Sequence, residues 1–310
     1  MSYWTQRVSA DASGLSGAAQ QVNVTKLGSS ESSGSTNVIA PVVVRLRNGR
    51  LLMAWSGGAQ GGATPLGIYA RLFDEKGQPM SEELETGGVL PNGQSFSPAI
   101  GALPGGQALL VWQGAANGGK GPQVVRGRML KDDGSALTPV LTLSPASQPY
   151  EALPAVAGYL SGEALVSWKA GDDPNATSAV TVRGRLLGTP LPTLPGALLP
   201  AGPAAALDDD SVGSYPGAAP VAALSEHRAM ALWHNQGQPD HTIWCKRHYR
   251  SVDAWDCQVT NLGGPLLPGE GGPRWLPALA SWENGKVVLA FSTNLAAMNQ
   301  FRVAARLWQW

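Results

Sequence analysis

A landmark pattern that recurs five times constrains this chain more than any other feature. Pro41, Pro98, Pro154, Pro220 and Pro277 open five segments at intervals of 57, 56, 66 and 57 residues. Each proline is followed 13 or 14 residues later by an aromatic: Trp55, Trp112, Trp168, Trp233 and Phe291. After a further 14 to 17 residues comes an arginine: Arg71, Arg128, Arg185, Arg247 and Arg306. A repeat of this length is one supersecondary unit copied along the chain, each copy burying its apolar face against its neighbours.

Within a copy the pattern reads as strands joined by turns. Asn48-Gly49, Gly105-Gly106, Ser161-Gly162 and Asn284-Gly285 separate two apolar segments, and such pairs predict two-residue hairpins because glycine and asparagine tolerate positive φ. The second strand runs into the aromatic, as in Leu51-Leu52-Met53-Ala54-Trp55, and its continuous apolar character predicts burial on both faces. A polar loop leads to a third strand carrying the arginine, and Asp74-Glu75-Lys76-Gly77 or Lys131-Asp132-Asp133-Gly134 turns the chain into a fourth. Small residues follow the proline (Ala99 and Gly101, Ala155 and Ala157, Ala222 and Ala223, Ala278 and Ala280), which suits strands crowded near a central axis. The 39 glycines, 24 prolines and 14% charged residues agree with many short strands and disfavour a helical bundle.

The expected fold class is therefore all-β: a five-bladed β-propeller of four-stranded antiparallel blades. The last copy ends with its third strand, while residues 19–28 resemble the fourth strand of the fourth copy. That predicts a ring closed by an N-terminal strand, which removes two exposed edges. Residues 1–310 are expected to form one domain, with blades beginning near 38, 95, 151, 217 and 274, and the sequence is too short for a sixth blade.

The unit Pro-x-Val-x-x-Leu-x-Asn-Gly-x-x-Leu-x-x-Ala-Trp, followed by Ile-Tyr-Ala-Arg-Leu-Phe-Asp-x-x-Gly, resembles the repeats of bacterial β-propeller proteins over about residues 15 to 310. Near-equal repeats on five blades are similar to tachylectin-type lectins, and that resemblance implies a sugar site on each blade. The sialidase Asp-box is absent, so the resemblance does not extend to sialidase chemistry.

The repeated residues divide between packing and binding. An aromatic that ends an apolar strand packs between adjacent sheets, or stacks on a sugar face. The repeated arginine bridges blades by donating to backbone carbonyls, or grips a carboxylate with its planar fork. A second aromatic set, Phe96, Tyr150, Tyr215 and Trp275, precedes the first strand of four copies and is expected in inter-blade connections. There these four are the candidate ligand contacts, or they cap the gaps between blades.

The fourth copy breaks the symmetry. It holds all four histidines, His227, His234, His241 and His248, and both cysteines. A hairpin centred on Gly237 would bring His234 and His241 together with Asp240 alongside, a set able to perform acid–base catalysis near neutral pH. The same two histidines are the weak candidates for a metal; no metal or other cofactor is required by the sequence. Cys245 and Cys257 flank a turn and either form a short-loop disulfide or remain thiols. An insertion of about ten residues before the fourth proline carries Asp208-Asp209-Asp210, read as a solvated run or a carboxylate site. The inner strands read as almost wholly apolar and small, which counts against a glycosidase whose acids lie there. No Gly-x-Ser-x-Gly, phosphate-binding loop or His-Glu-x-x-His is present.

With 22 basic and 22 acidic residues the chain has no net field to attract nucleic acid, and no apolar run is long enough for a membrane span. The N-terminus lacks the apolar core of a signal peptide, so a cytoplasmic chain or one exported by a signal-independent route is expected. The leading functional expectation is a non-enzymatic, multivalent carbohydrate-binding lectin taking a carbohydrate or small-molecule ligand. The alternatives are a single-site enzyme acting on a glycan or small molecule through the irregular fourth copy (His234, His241 and Asp240), or a scaffold for a protein partner.

Overall fold

The computed structural model describes residues 4–8, 15–24, 27–28, 41–58, 67–87, 93–115, 121–145, 149–172, 180–188, 199–200, 204–207, 221–223, 225, 227–234, 243–249, 254–255, 260–261, 274–281, 286–295 and 300–309. All of their regular structure is β apart from a single 3-10 turn at Pro104–Gly106. The chain divides into two compact units, Met1–Leu143 and Ser144–Trp310.

The first unit opens with a hairpin of β1 (Trp4–Val8) and β2 (Leu15–Gln21). Its first sheet contains β3 (Leu27–Gly28), β4 (Val42–Arg45), β5 (Leu51–Gly58), β6 (Gly67–Phe73) and β7 (Leu84–Gly87). β4, β5, β6 and β7 run as an antiparallel meander, with β3 pairing on β5 beside β4. The second repeat forms a similar meander of β8 (Gln94–Ala102), β9 (Ala108–Ala115), β10 (Gln123–Leu130) and β11 (Leu141–Thr142).

The second unit holds the other three repeats. β12 (Tyr150–Gly158), β13 (Ala164–Gly171) and β14 (Thr181–Gly188) form a meander on whose outer edge lie β15 (Leu199–Pro200) and β16 (Ala205–Ala206). β17 (Val221–Ala223), β18 (Arg228–His234), β19 (Ile243–Tyr249), β20 (Ala254–Trp255) and β21 (Thr260–Asn261) make the fourth sheet. β22 (Arg274–Ser281), β23 (Lys286–Leu295) and β24 (Gln300–Gln309) make the last.

The turns differ from the two-residue hairpins expected. Leu46 N–H donates to Arg50 O at 2.8 Å and Gly49 N–H to Leu46 O at 2.9 Å, which encloses a three-residue loop. The same bond pair recurs at Asp74/Gln78, Lys131/Ser135 and Tyr159/Glu163. Only the last loop residue then needs the left-handed region, and Gly49, Gly77, Gly134 and Gly162 supply it at φ +82° to +102°.

The N-terminal expectation is also corrected. Leu15–Gln21 pairs with β1, and Leu27–Gly28 pairs with Gly57–Gly58 of β5, so the described part of residues 19–28 does not extend the last sheet. The physical reason lies in strand length. β4 covers β5 only from Leu51 to Ala54, leaving an open edge that Leu27–Gly28 occupies. Among the described residues the last sheet has three strands.

Packing follows the repeat. Trp55, Trp112, Trp168 and Trp233 are among the largest fully buried side chains, and Phe291 is also buried. Within the first unit, Leu52, Ala54, Ile68, Ala70 and Leu72 of the first sheet pack against Leu110, Trp112 and Leu130 of the second. Within the second, Leu165 and Val182 of the third sheet pack against Ala229, Ala231 and Trp233 of the fourth. The repeated aromatic is thus a core residue. Arg128 donates from Nη1 to Thr86 O at 2.9 Å, tying the second sheet to β7 of the first, and Arg71 donates to Ser81 O at 2.9 Å and Val22 O at 3.2 Å. Both bind backbone carbonyls.

Candidate functional site

The first strand of a repeat is interrupted before its proline. Pairing of β8 with β9 shifts between Phe96 and Ala99, that of β12 with β13 between Ala152 and Ala155, and that of β22 with β23 between Trp275 and Ala278. At two of these bulges a non-glycine residue takes positive φ: Ser97 at 48° and Leu153 at 51°. A non-glycine residue in that region carries strain of about 1–3 kcal/mol. Bulges re-aim the residues beside them, and here they set apart a short upper stretch of strand: Gln94–Phe96 in the second sheet and Tyr150–Ala152 in the third.

That stretch carries polar groups. Three residues before the repeat proline stand Ser95 and Glu151, both 0% exposed. The second strand contributes the residue directly after its aromatic, and it is polar in every repeat: Ser56, Gln113, Lys169, His234 and Ser292. Among these, Ser56, Gln113 and Lys169 are buried. In the second sheet Gln113 Nε2 donates to Gln123 Oε1. In the third, the Lys169 ammonium lies 5.8 Å from the centroid of the Tyr150 ring, and burial pushes its pKa down from the ordinary 10.5.

Register separates two faces of the third sheet. Glu151 pairs with Ala170, and Trp168, two residues along, pairs with Arg183, so these four share one face. Tyr150, Lys169 and Ser167 lie on the other. Glu151 is a buried carboxylate on β12, the first strand of its repeat, where the sequence reads as almost wholly apolar and small. As one acid in one of five copies it carries no repeated sequence signal.

The expected ligand contacts fall in varied places. Phe96 and Tyr150 lie inside β8 and β12 and are buried, at 4% and 3% exposure, and so are not in exposed connections. Trp275 lies in β22 beside a bulge. Tyr215 is outside the described residues. His234 ends β18, paired with Ile243, at the register that Lys169 takes in the third repeat. His241 and Asp240 are outside the described residues, as are Cys257 and Asp208–Asp210; Cys245 is buried in β19.

Two further histidines of the fourth repeat are described. His227 is exposed. His248 is fully buried, its Nδ1 2.9 Å from Tyr159 Oη, which joins the third and fourth sheets. No group of three His, Cys, Asp or Glu able to hold a metal ion occurs among the described residues, and none of their helices is long and apolar enough to cross a membrane.

No protein-family model matches the chain, and no curated protein matches it in sequence. Solved structures do match in fold. A protein of unknown function from Dyadobacter fermentans is 14% identical, with a TM-score of 0.56 over 88% of this chain and 79% of that one. An α-L-arabinofuranosidase from Fusarium graminearum, solved with an iminosugar inhibitor, is 15% identical, with a TM-score of 0.53 over 94% and 81%. An α-L-arabinanase from Penicillium chrysogenum, solved with arabinobiose, is 14% identical, with a TM-score of 0.50 over 94% and 81%. A resemblance specifically to tachylectin-type lectins is not shown. The two named activities are those of glycan-processing enzymes, which overturns the expectation of a non-enzymatic lectin in favour of its enzyme alternative. At these identities the likeness is one of fold: the chain is an all-β protein of the β-propeller type.

Proposed function

We propose that this protein is a glycan-processing enzyme built on a single five-bladed propeller domain. The observation that carries this reading is Glu151. It is a fully buried carboxylate on β12, beside a bulge strained at Leu153, in a fold shared with an arabinofuranosidase and an arabinanase. Glycoside cleavage needs one carboxyl that gives a proton to the leaving oxygen and a second carboxylate that attacks or activates water.

Glu151 is assigned the proton-donor role. Asp172 follows Gly171, the cross-strand partner of Tyr150, and is exposed at the same end of the sheet. It is the described candidate for the second role, and Asp240 is the other. His234 and His241 would assist from the fourth repeat, with Tyr215 and Trp275 contacting the sugar, while the buried Phe96 and Tyr150 would support the strands that carry the site.

The test is release of reducing ends from a panel of plant and bacterial polysaccharides, with Glu151→Gln as the variant. Loss of two to four orders of magnitude in kcat, with the β-sheet circular dichroism retained, is the expected result. A blank panel, or a Glu151→Gln variant as active as the parent, refutes the assignment.

A further inference from the structure

The first unit has a second polar site, in the seam between its two meander sheets. Ile68 packs against the second sheet, and Ser56 is its cross-strand partner, so Ser56 faces that seam from the first sheet. From the second sheet, Trp112 enters the same core. Its partner Arg126 shares its face, as do Gly114, two residues along, and Gly114's partner Ser95.

Ser56 Oγ, Ser95 Oγ, Trp112 Nε1 and Arg126 Nε are all buried, and none has a hydrogen-bond partner among the described residues. Every one of these atoms can donate. Native structures leave few such groups unmatched, so four on the facing surfaces of one seam form a concentrated demand for an acceptor.

The guanidinium is held in place by the absence of a side chain. A Cβ at Gly114 would stand 3.0 Å from both Cδ and Nε of Arg126, so the arginine lies across the bare glycine, next to Ser95. Burial alone pushes the Arg126 pKa down, so the group gains a partner's worth of stabilisation from any anion that reaches it.

The third repeat offers an internal comparison. Glu151, Ala170, Trp168 and Arg183 occupy the registers of Ser95, Gly114, Trp112 and Arg126. The third repeat supplies a carboxylate of its own there, although Trp168 Nε1, Arg183 Nε and Glu151 Oε1 also lack a hydrogen-bond partner among the described residues; at the same register the second repeat has only a hydroxymethyl group.

We propose that Arg126, Ser95 and Ser56 form a subsite for the carboxylate of an acidic sugar. The planar guanidinium fork binds the two oxygens and the hydroxyls complete their hydrogen bonding. The carboxylate follows from the donors themselves; that a sugar carries it rests on the glycan-processing reading above.

Calorimetric titration of the full chain with glucuronate and galacturonate, alongside glucose, galactose and acetate, tests this. The uronates should bind, more weakly as salt rises, and the neutral sugars and acetate at least tenfold more weakly. Arg126→Met should lose at least tenfold. Gly114→Ala, which keeps the charge but displaces the guanidinium, should lose binding as well. Uronates that fail to bind, neutral sugars or acetate that bind as tightly, or an unaffected Arg126→Met overturn the subsite. Glu151→Gln separates the two proposals. It should still bind uronate; full turnover by that variant alongside Arg126-dependent uronate binding would remove only the catalytic assignment.

Discussion

Gly87→Ala is the substitution whose sign is most informative about how the first two sheets interlock. Gly87 ends β7 and pairs with Ile68. A Cβ placed there would stand 2.8 Å from Ile68 Cβ, 3.1 Å from Ile68 Cγ1 and 3.1 Å from Trp112 Cε2. Carbon atoms pack best at about 3.5–4.0 Å, so the nearest contact is too short by roughly 0.7 Å or more. Neither neighbour moves readily: Ile68 is β-branched and fully buried, and Trp112 is 1% exposed. Two effects compete. Removing glycine from a strand position restricts the unfolded chain and is worth about 0.4–1 kcal/mol in favour of the variant. Overpacking costs about 1–3 kcal/mol. The second wins here because two rigid groups are struck at once, and a net destabilisation of about 1–2 kcal/mol is expected. In thermal unfolding that is a fall of roughly 2–8 °C for a chain of this size. The clash also predicts coupling: Ile68→Ala should cost at least about 0.5 kcal/mol less in the Gly87→Ala background than alone. A variant as stable as the parent, or more stable, would refute the tight stacking of β7 on the Trp112 ring.

Three other perturbations follow from the same geometry. Arg128→Met removes the charged donor that reaches Thr86 O and should cost about 1–3 kcal/mol in urea titration. Tyr159→Phe deprives buried His248 Nδ1 of its 2.9 Å partner and should cost about 1–3 kcal/mol; an unchanged urea midpoint would show that the pair does not hold the third and fourth sheets together. Lys169 supplies a pH dependence. Its folded pKa lies below 10.5, so between that lowered value and 10.5 the unfolded chain binds a proton that the folded chain does not, and stability rises with pH across the window. Lys169→Met should therefore be the more stable protein at pH 7, with an advantage that shrinks as pH approaches 10.5; a constant difference across denaturant titrations in that range would refute it.

The repeat made the strands, their antiparallel order and the burial of Trp55, Trp112, Trp168 and Trp233 readable from sequence, because apolar runs and turn glycines act locally and were copied five times. The bridging role of Arg128 was readable for the same reason. The bulges were not. Ser97 and Leu153 adopt positive φ without glycine, a conformation imposed by the sheet around them and unmarked by residue type. The N-terminal segment misled because its resemblance to a fourth strand says nothing about which edge is open; the short reach of β4 along β5 decided that.

The candidate site divides along the same line. Sequence alone picked out Tyr150 as an aromatic ahead of its proline and His234 as a departure from the repeat. It did not distinguish Glu151 or Ser95, which are single polar residues in otherwise apolar strands. Sequence by itself determined what each copy is made of, since periodicity and turn chemistry are properties of neighbouring residues. Only the tertiary structure decided which copy carries the buried acid and where unmatched donors converge, because cross-strand register and sheet-on-sheet packing join residues far apart in the chain.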